Sequence, residues 1–265
     1  GRTASINRLS TRRPPVRRPR RGPPPAPFGV GDDCAVLPPA TTGAQTLVTA
    51  DPVIYGQHFD QTLSAAQAAG KLVRRNVSDI AAMGGHPTHA VVSLALDPNV
   101  SISWLEAFYK ALAAEAQSFQ ISVVGGDVSN APNFLGAFLT LYGETAPHTA
   151  PLLRHAAQTG SPLLVTGALG GTRLSKHHSF TPRLKEALWL ARSGLCLSCS
   201  DLSDGLGKDL ANLLPHGLAG EVDCAKLPVS ADAVSTATGS GKDELYHVFN
   251  DGEDYELLFA LQPHT

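Results

Sequence analysis

Short apolar runs alternate with longer segments of helical period from about residue 43 onward, a pattern that predicts an α/β protein. Thr46-Leu47-Val48-Thr49-Ala50-Asp51 reads as a strand that ends in an acid, with Pro52 behind it. Between Ser64 and Met83, Ala68, Leu72, Ile80 and Met83 recur at helical spacing, and Gly84-Gly85 supplies the stop. Asp79 falls beside the apolar face of that helix, where a carboxylate is costly unless it is paired or bound to a cation. Ala90 to Leu96 is apolar almost throughout, as a central strand should be. Ser103-Trp104-Leu105-Glu106 has the form of a capping box and predicts a helix running to about Phe119. Ile121 to Val124 is the next strand, and Gly125-Gly126-Asp127 follows it. Strand, paired glycines and an acid together would let backbone approach a phosphate while the carboxylate holds its counter-ion. Phe134 to Glu144 is a longer strand with Gly136 as a candidate bulge.

The turn-rich stretch from Thr145 to Gly160 is the expected domain boundary. Beyond it, Leu163 to Gly167 predicts a strand, and Ala168-Leu169-Gly170-Gly171-Thr172 is a glycine-rich turn without the Gly-Lys-Ser/Thr of a Walker loop. A helix over Pro182 to Ser193 precedes an apolar strand, Leu195 to Ser200. Asp201-Leu202-Ser203-Asp204-Gly205-Leu206 then opens a helix to about Leu214. Ser203 or Asp204 could cap that helix, and its start would attract anions. Asn250 to Phe259 is an acidic turn running into a last strand.

Composition narrows the class. With 265 residues, 43% hydrophobic and 17% charged, the chain can bury the cores of two modest domains. A formal net charge of -2 gives no global pull toward nucleic acid or membrane. The first 27 residues differ from the rest: arginines alternate with prolines and little is available to bury, so a disordered arm is expected. A basic arm for nucleic acid, anionic lipid or targeting is the other reading of that segment, and binding to nucleic acid is the less favoured of the two. The organisation expected is therefore an arm over 1–27, an N-terminal domain over 28–147 and a C-terminal domain over 148–265. Cys196-x-x-Cys199 lies in an apolar run with no second pair at zinc-finger spacing, which favours packing over metal. No apolar segment approaches the roughly 20 residues of a membrane span, and a cytoplasmic, enzyme-like protein is the expectation.

Acids recur where elements end: Asp33 in Gly29-Val30-Gly31-Asp32-Asp33, then Asp51, Asp79, Asp127, Asp201, Asp204 and Glu253. Any one alone reads as a cap or turn residue. Several at equivalent ends, with glycine pairs beside two of them, suggest a multi-metal phosphate site, because joining two polyanions requires cations that neutralise both.

Five motifs in order carry a resemblance over about Phe28 to Leu261: Gly-Val-Gly-Asp-Asp-Cys-Ala-Val-Leu, Asn-Val-Ser-Asp-Ile-Ala-Ala-Met-Gly, Val-Val-Gly-Gly-Asp, Asp-Leu-Ser-Asp-Gly-Leu and Gly-Glu-Asp-Tyr-Glu-Leu. The chain resembles the thiamine-monophosphate kinase family, within the wider aminoimidazole ribonucleotide synthetase-like group of ATP-binding enzymes. The resemblance implies a two-domain α/β fold, with an N-terminal mixed sheet carrying helices on one face and pairing with its copy in a homodimer. It implies transfer of the γ-phosphoryl group of ATP to thiamine monophosphate. Carried over by position, Asp33, Thr49, Asp51, Asp79, Asp127, Asp201 and Asp204 become Mg²⁺ ligands. Gly126, Asp127, Arg154 and Ser203 become ATP contacts, and His58 and Glu253 become contacts to the thiamine substrate. Asp79, Asp127 and Arg154 are then the groups nearest the chemistry. The same comparison has Ala50 where the family usually has a hydroxyl residue, and has the chain ending before the family's final segment. Two alternatives stay open: another ATP-using enzyme of the same group, and a shortened relative that acts as a binding protein.

Overall fold

The computed structural model describes residues 40–263. The arginine-proline arm and the Gly29 to Leu37 motif, Asp33 included, lie outside the described residues. The remainder groups into two compact units that interleave along the chain. The first takes in Val48–Asn76 and Pro87–Gly143; the second takes in Thr41–Leu47, Val77–His86 and the chain from Glu144 onward.

Four strands form one mixed sheet in the order β1-β4-β2-β3, with β1 over Thr46–Ile54, β2 over Gly85–Leu96, β3 over Ser122–Asn130 and β4 over Leu135–Thr145. Pro52 sits inside β1, and β1 is an edge strand, the one place where a missing N–H costs no ladder bond. Hydrogen bonds at both ends, Thr145 N to Gln45 O at 3.0 Å and Tyr55 N to Leu135 O at 2.9 Å, run β1 and β4 antiparallel. β2 and β3 are parallel neighbours joined through α2 (Ile102–Ser118), a βαβ unit. As its apolar run predicted, β2 is central, although it begins earlier, at Gly85. Helix α1 covers Ala65–Ala82, and Gly84 follows it with φ 69°, a left-handed stop that a Cβ would strain. The buried face of α1 comprises Ala68, Ala69, Leu72, Val73, Val77 and Ile80. Lys71 is also fully buried there and donates from Nζ to the His58 carbonyl at 2.7 Å.

Two local expectations need correction. The cap of α2 is Ser101, whose side chain accepts from Trp104 N, so Ser103 lies within the helix and the apparent capping box is out of register by two residues. The strand expected to stop at Val124 continues to Asn130, so Gly125-Gly126-Asp127 is strand rather than loop. A bulge between Ala90 and Val91 shifts the pairing, and Gly126 then lies opposite Val92.

The second unit holds a three-stranded sheet in the order β5-β7-β6, with β5 over Leu163–Val165, β6 over Cys196–Asp201 and β7 over Leu257–Leu261. Both neighbours run antiparallel to β7. Successive residues of a strand face opposite ways, and Leu257 and Leu258 enter two different cores. Leu257 joins Ala81, Ala82, Leu152, Ala187, Leu190 and Cys199. Leu258 joins Leu169, Leu202, Leu206, Leu213 and Val248. The helices supplying these residues are the end of α1, α4 (Leu184–Ser193), α5 (Leu206–Leu213) and α7 (Glu244–Asn250); the short α3 (Lys176–Ser179) and α6 (Ala231–Ser240) complete the unit. Cys199 is thus a core residue of β6, as its apolar surroundings predicted.

Candidate active site

Within the first unit, alternation along β1 sends Leu47, Thr49, Asp51 and Val53 to the more buried face, while Ala50 is exposed on the other. The Asp51 carboxylate stands 3.2 Å from Arg75 Nη2, and its backbone N–H donates to Asn76 Oδ1 at 2.9 Å. Arg75 and Asn76, next to each other on α1, therefore pin β1 at Asp51, which lies inside the strand rather than at the end expected for it. Asp127 is exposed and accepts from Ser129 Oγ at 2.9 Å. Burial, with the Asp127 charge adding to it, pushes the Tyr109 hydroxyl up to about 12. His58 Nδ1 accepts from Ile54 N at 3.0 Å, so the neutral ring carries its proton on Nε2 and presents a donor.

Gly126 has a second constraint besides the one read from its motif. A Cβ at this position would run into the carbonyl oxygen of Val92 on the neighbouring strand. The backbones of β2 and β3 therefore meet closely one residue before Asp127, inside the strand. Gly126→Ala should lower unfolding stability by about 2 kcal/mol, the usual size of an overpacking penalty. Gly125→Ala meets nothing within 4 Å and should be near neutral. Urea unfolding midpoints of the two variants check this.

Asp79, Arg154, Asp201, Ser203, Asp204 and Glu253 all belong to the second unit. Asp201 is almost fully buried and accepts from Ser78 Oγ at 2.7 Å, tying the C-terminal turns of α1 to the strand end. Asp79 is the next residue along α1 and is half-buried. Arg154 Nε donates to Ser200 Oγ at 3.1 Å, one residue before Asp201. Neither Ser203 nor Asp204 caps α5. The N-cap is Gly205, without a side-chain bond; instead Asp209 Oδ2, inside the helix, accepts from Asp204 N at 2.9 Å. That reversal frees the Asp204 carboxylate from capping, and it pairs with exposed Lys208 at 2.6 Å. Glu253 adopts φ 56° and donates its N–H to the Ser203 carbonyl at 2.8 Å; its carboxylate lies 3.8 Å from His177 Nδ1.

A buried ionic network behind Glu253 was not legible from the motif. Glu256 accepts two hydrogen bonds from Arg183, at 2.6 and 2.8 Å, one from Thr166 Oγ1 at 2.7 Å, and an ion pair from Lys176 at 2.8 Å. Burial alone would raise its carboxyl, but these donors outweigh it and hold the group below the ordinary glutamate range. Asp254 is fully buried, accepts from Gly170 N at 2.8 Å, and is pushed up to about 7 chiefly by burial. The available signal was an acid set directly against an apolar strand, Glu256 before Leu257-Leu258-Phe259, where only a paired charge is tolerated.

The candidate ligands are all carboxylate or hydroxyl oxygens, the donors Mg²⁺ prefers. Among the described residues, no group of three or more His, Cys, Asp or Glu side chains closes into a protein-only metal site. Mg²⁺ is commonly held by one or two carboxylates together with substrate phosphates. Asp201, bonded to Ser78 in the turn of α1 that also bears Asp79, is a carboxylate of the kind that requirement needs.

The mixed sheet with its βαβ unit and the acid-bearing element ends define the class: an α/β protein of the AIR synthase-related type. Residues 31–144 match the family described as AIR synthase related protein, N-terminal domain. The thiamine-monophosphate kinase of Rhodopirellula baltica is 35% identical over 243 residues, covering 89% of this chain and 76% of that protein. The chain belongs to the thiamine-monophosphate kinase family. The crystal structure of thiamine-monophosphate kinase from Stenotrophomonas maltophilia matches with a TM-score of 0.75 at 30% identity, covering 88% of this chain and 79% of that one. The structure of AaThiL complexed with AMPPCP and TMP matches with a TM-score of 0.76 at 28% identity, covering 83% and 76%.

Proposed function

We propose that this chain transfers the γ-phosphoryl group of ATP to thiamine monophosphate, forming thiamine diphosphate. The observation that carries the reading is the Ser78–Asp201 hydrogen bond, which ties the turn of α1 that bears Asp79 to the end of β6 that bears Asp201. The family to which the chain belongs, and the relative complexed with AMPPCP and TMP, support the same reading. Asp33, Thr49, Asp51, Asp79, Asp127, Asp201 and Asp204 are the residues that would hold Mg²⁺. When bound, Mg²⁺ supplies positive charge that offsets the repulsion between the two phosphate groups. Gly126, Asp127, Arg154 and Ser203 meet ATP, and His58 and Glu253 meet thiamine monophosphate.

The acceptor needs no general base, because a phosphate monoester with its second pKa near ~6 already presents an anionic oxygen at neutral pH. Catalysis then rests on in-line positioning and on preorganised charge. The bond from Arg154 Nε to Ser200 Oγ holds the stem of the guanidinium against β6, and its planar fork suits a phosphate oxygen pair. Ile54 N–H, donating to Nδ1, holds the His58 ring in place.

A homodimer and a cytoplasmic location complete the proposal; no helix among the described residues is long and apolar enough to cross a membrane. The test is direct. The purified chain, incubated with thiamine monophosphate, ATP and Mg²⁺, should form thiamine diphosphate, and removal of the metal with EDTA should stop it. Absence of product with metal present would overturn the reading.

A further inference from the structure

The turn that carries Glu253 is held in a costly conformation. Glu253 and Tyr255 both adopt left-handed backbone angles, φ 56° and φ 50°, although neither is glycine. Each such residue costs on the order of 1–2 kcal/mol, so the surroundings must impose the shape. Between them lies Asp254, whose side chain is fully buried. Its Oδ1 accepts from Gly170 N at 2.8 Å, while Oδ2 is buried without a hydrogen-bond partner. A buried carboxylate oxygen left unsatisfied requires a reason. Lys176 Nζ stands 3.7 Å from Oδ1 and leaves Oδ2 unpaired.

The contacts around the turn supply the reason. Glu253 N donates to Ser203 O and Tyr255 N to Leu202 O, both at 2.8 Å, so the turn is bonded to the backbone that follows Asp201. Thr172 Oγ1 donates to Gly252 O at 2.8 Å, and the Tyr255 ring stacks on Phe180 with centroids 3.9 Å apart. Gly171 N donates to Asp251 Oδ2 at 2.9 Å. Lys176 and His177 are consecutive on α3: Lys176 pairs with Glu256 at 2.8 Å and His177 stands 3.8 Å from Glu253. The 170–177 segment therefore grips the turn from one side, and the 202–203 backbone grips it from the other.

We infer that Asp254 is a positioning residue: by anchoring the Gly252–Tyr255 turn to the Gly170–Thr172 loop, it fixes the direction in which Glu253 presents its carboxylate to thiamine monophosphate. The inference rests on the reading of Glu253 as a contact to that substrate. Asp254 itself is too deeply buried to touch a ligand, and its influence passes through the backbone of Glu253.

The probe is thiamine monophosphate, its dissociation constant measured by calorimetry, with ATP binding measured alongside. Asp254→Ala should weaken thiamine monophosphate binding about tenfold, the effect of losing one well-made polar contact, and leave ATP binding within about twofold. Asp254→Asn keeps an acceptor for Gly170 N–H and should restore binding to within about threefold of the starting protein. Glu253→Gln should weaken the same binding, and adding Asp254→Ala to it should cause no further loss, because the two residues act as one unit. Should Asp254→Ala fail to fold, Thr172→Val, which removes only the bond to Gly252 O, should show the same selective loss and the same non-additivity. Additive losses, or parallel losses for both substrates, would overturn the positioning role while leaving Glu253 as a contact. Unchanged binding in Glu253→Gln would overturn the reading of Glu253 and the inference with it.

Discussion

Asp79→Asn is expected to lower kcat about a thousandfold while leaving the melting temperature nearly unchanged. Asparagine keeps the size and one acceptor oxygen of the side chain, so the half-buried position on α1 loses little packing. What it loses is a negative charge at the end of the element that Ser78 bonds to Asp201. If Asp79 holds Mg²⁺, its charge is worth several kcal/mol when charge builds up in transfer, and about 4 kcal/mol corresponds to a thousandfold in rate. Single-turnover formation of thiamine diphosphate at saturating Mg²⁺, together with a thermal melt, checks both halves. A rate within tenfold of the parent would remove Asp79 from the site.

Arg183→Met is expected to destabilise the fold by about 3 kcal/mol, through a different cause. Glu256 is buried at 2% exposure and holds two hydrogen bonds from this guanidinium. Breaking a buried pair from one side commonly costs about 3–5 kcal/mol, because the remaining charge is left uncompensated. Lys176 and Thr166 still reach Glu256, which sets the expectation at the lower end of that range. The effect has a definite pH sign. The Glu256 carboxyl lies below its ordinary range in the folded protein, so the stability it contributes is present above the unfolded value and is lost as pH falls through the folded one. The gap between parent and variant should therefore be full at neutral pH and close in acid, as Glu256 gains a proton. Urea unfolding at neutral and acid pH measures it; a gap that widened in acid would contradict the assignment.

Much of the architecture was readable before any coordinates, and the reasons are local. Periodicity placed α1 within one residue at each end, because a helix with one apolar face has a pattern no strand shares. The second half of β2, Ala90 to Leu96, and β6 are legible as largely apolar runs, while the polar start of β2 at Gly85 is not. The errors were also local in origin. Ser101 and Ser103 both offer a hydroxyl at a plausible cap, and only the backbone angles at Ser101 decide between them. Gly125-Gly126 looked like a loop because glycine weakens a strand on its own, whereas the close approach of Val92 demands it.

The sequence by itself determined the family and the order of the elements, because these depend on residue type and spacing along the chain; of the acids expected at strand ends, Asp51 and Asp127 lie inside β1 and β3. Tertiary structure alone decided which acids have which partners. Asp51 meets Arg75, Asp201 meets Ser78, and Glu256 meets Arg183 across separations of 24, 123 and 73 residues. No local pattern encodes pairs so far apart. They form when apolar burial brings the elements together, and a buried carboxylate is tolerated only where a donor waits for it. The left-handed turn at Glu253 belongs to the same class: its conformation is unfavourable to the residue itself and is imposed by contacts from Ser203, Gly170 and Thr172.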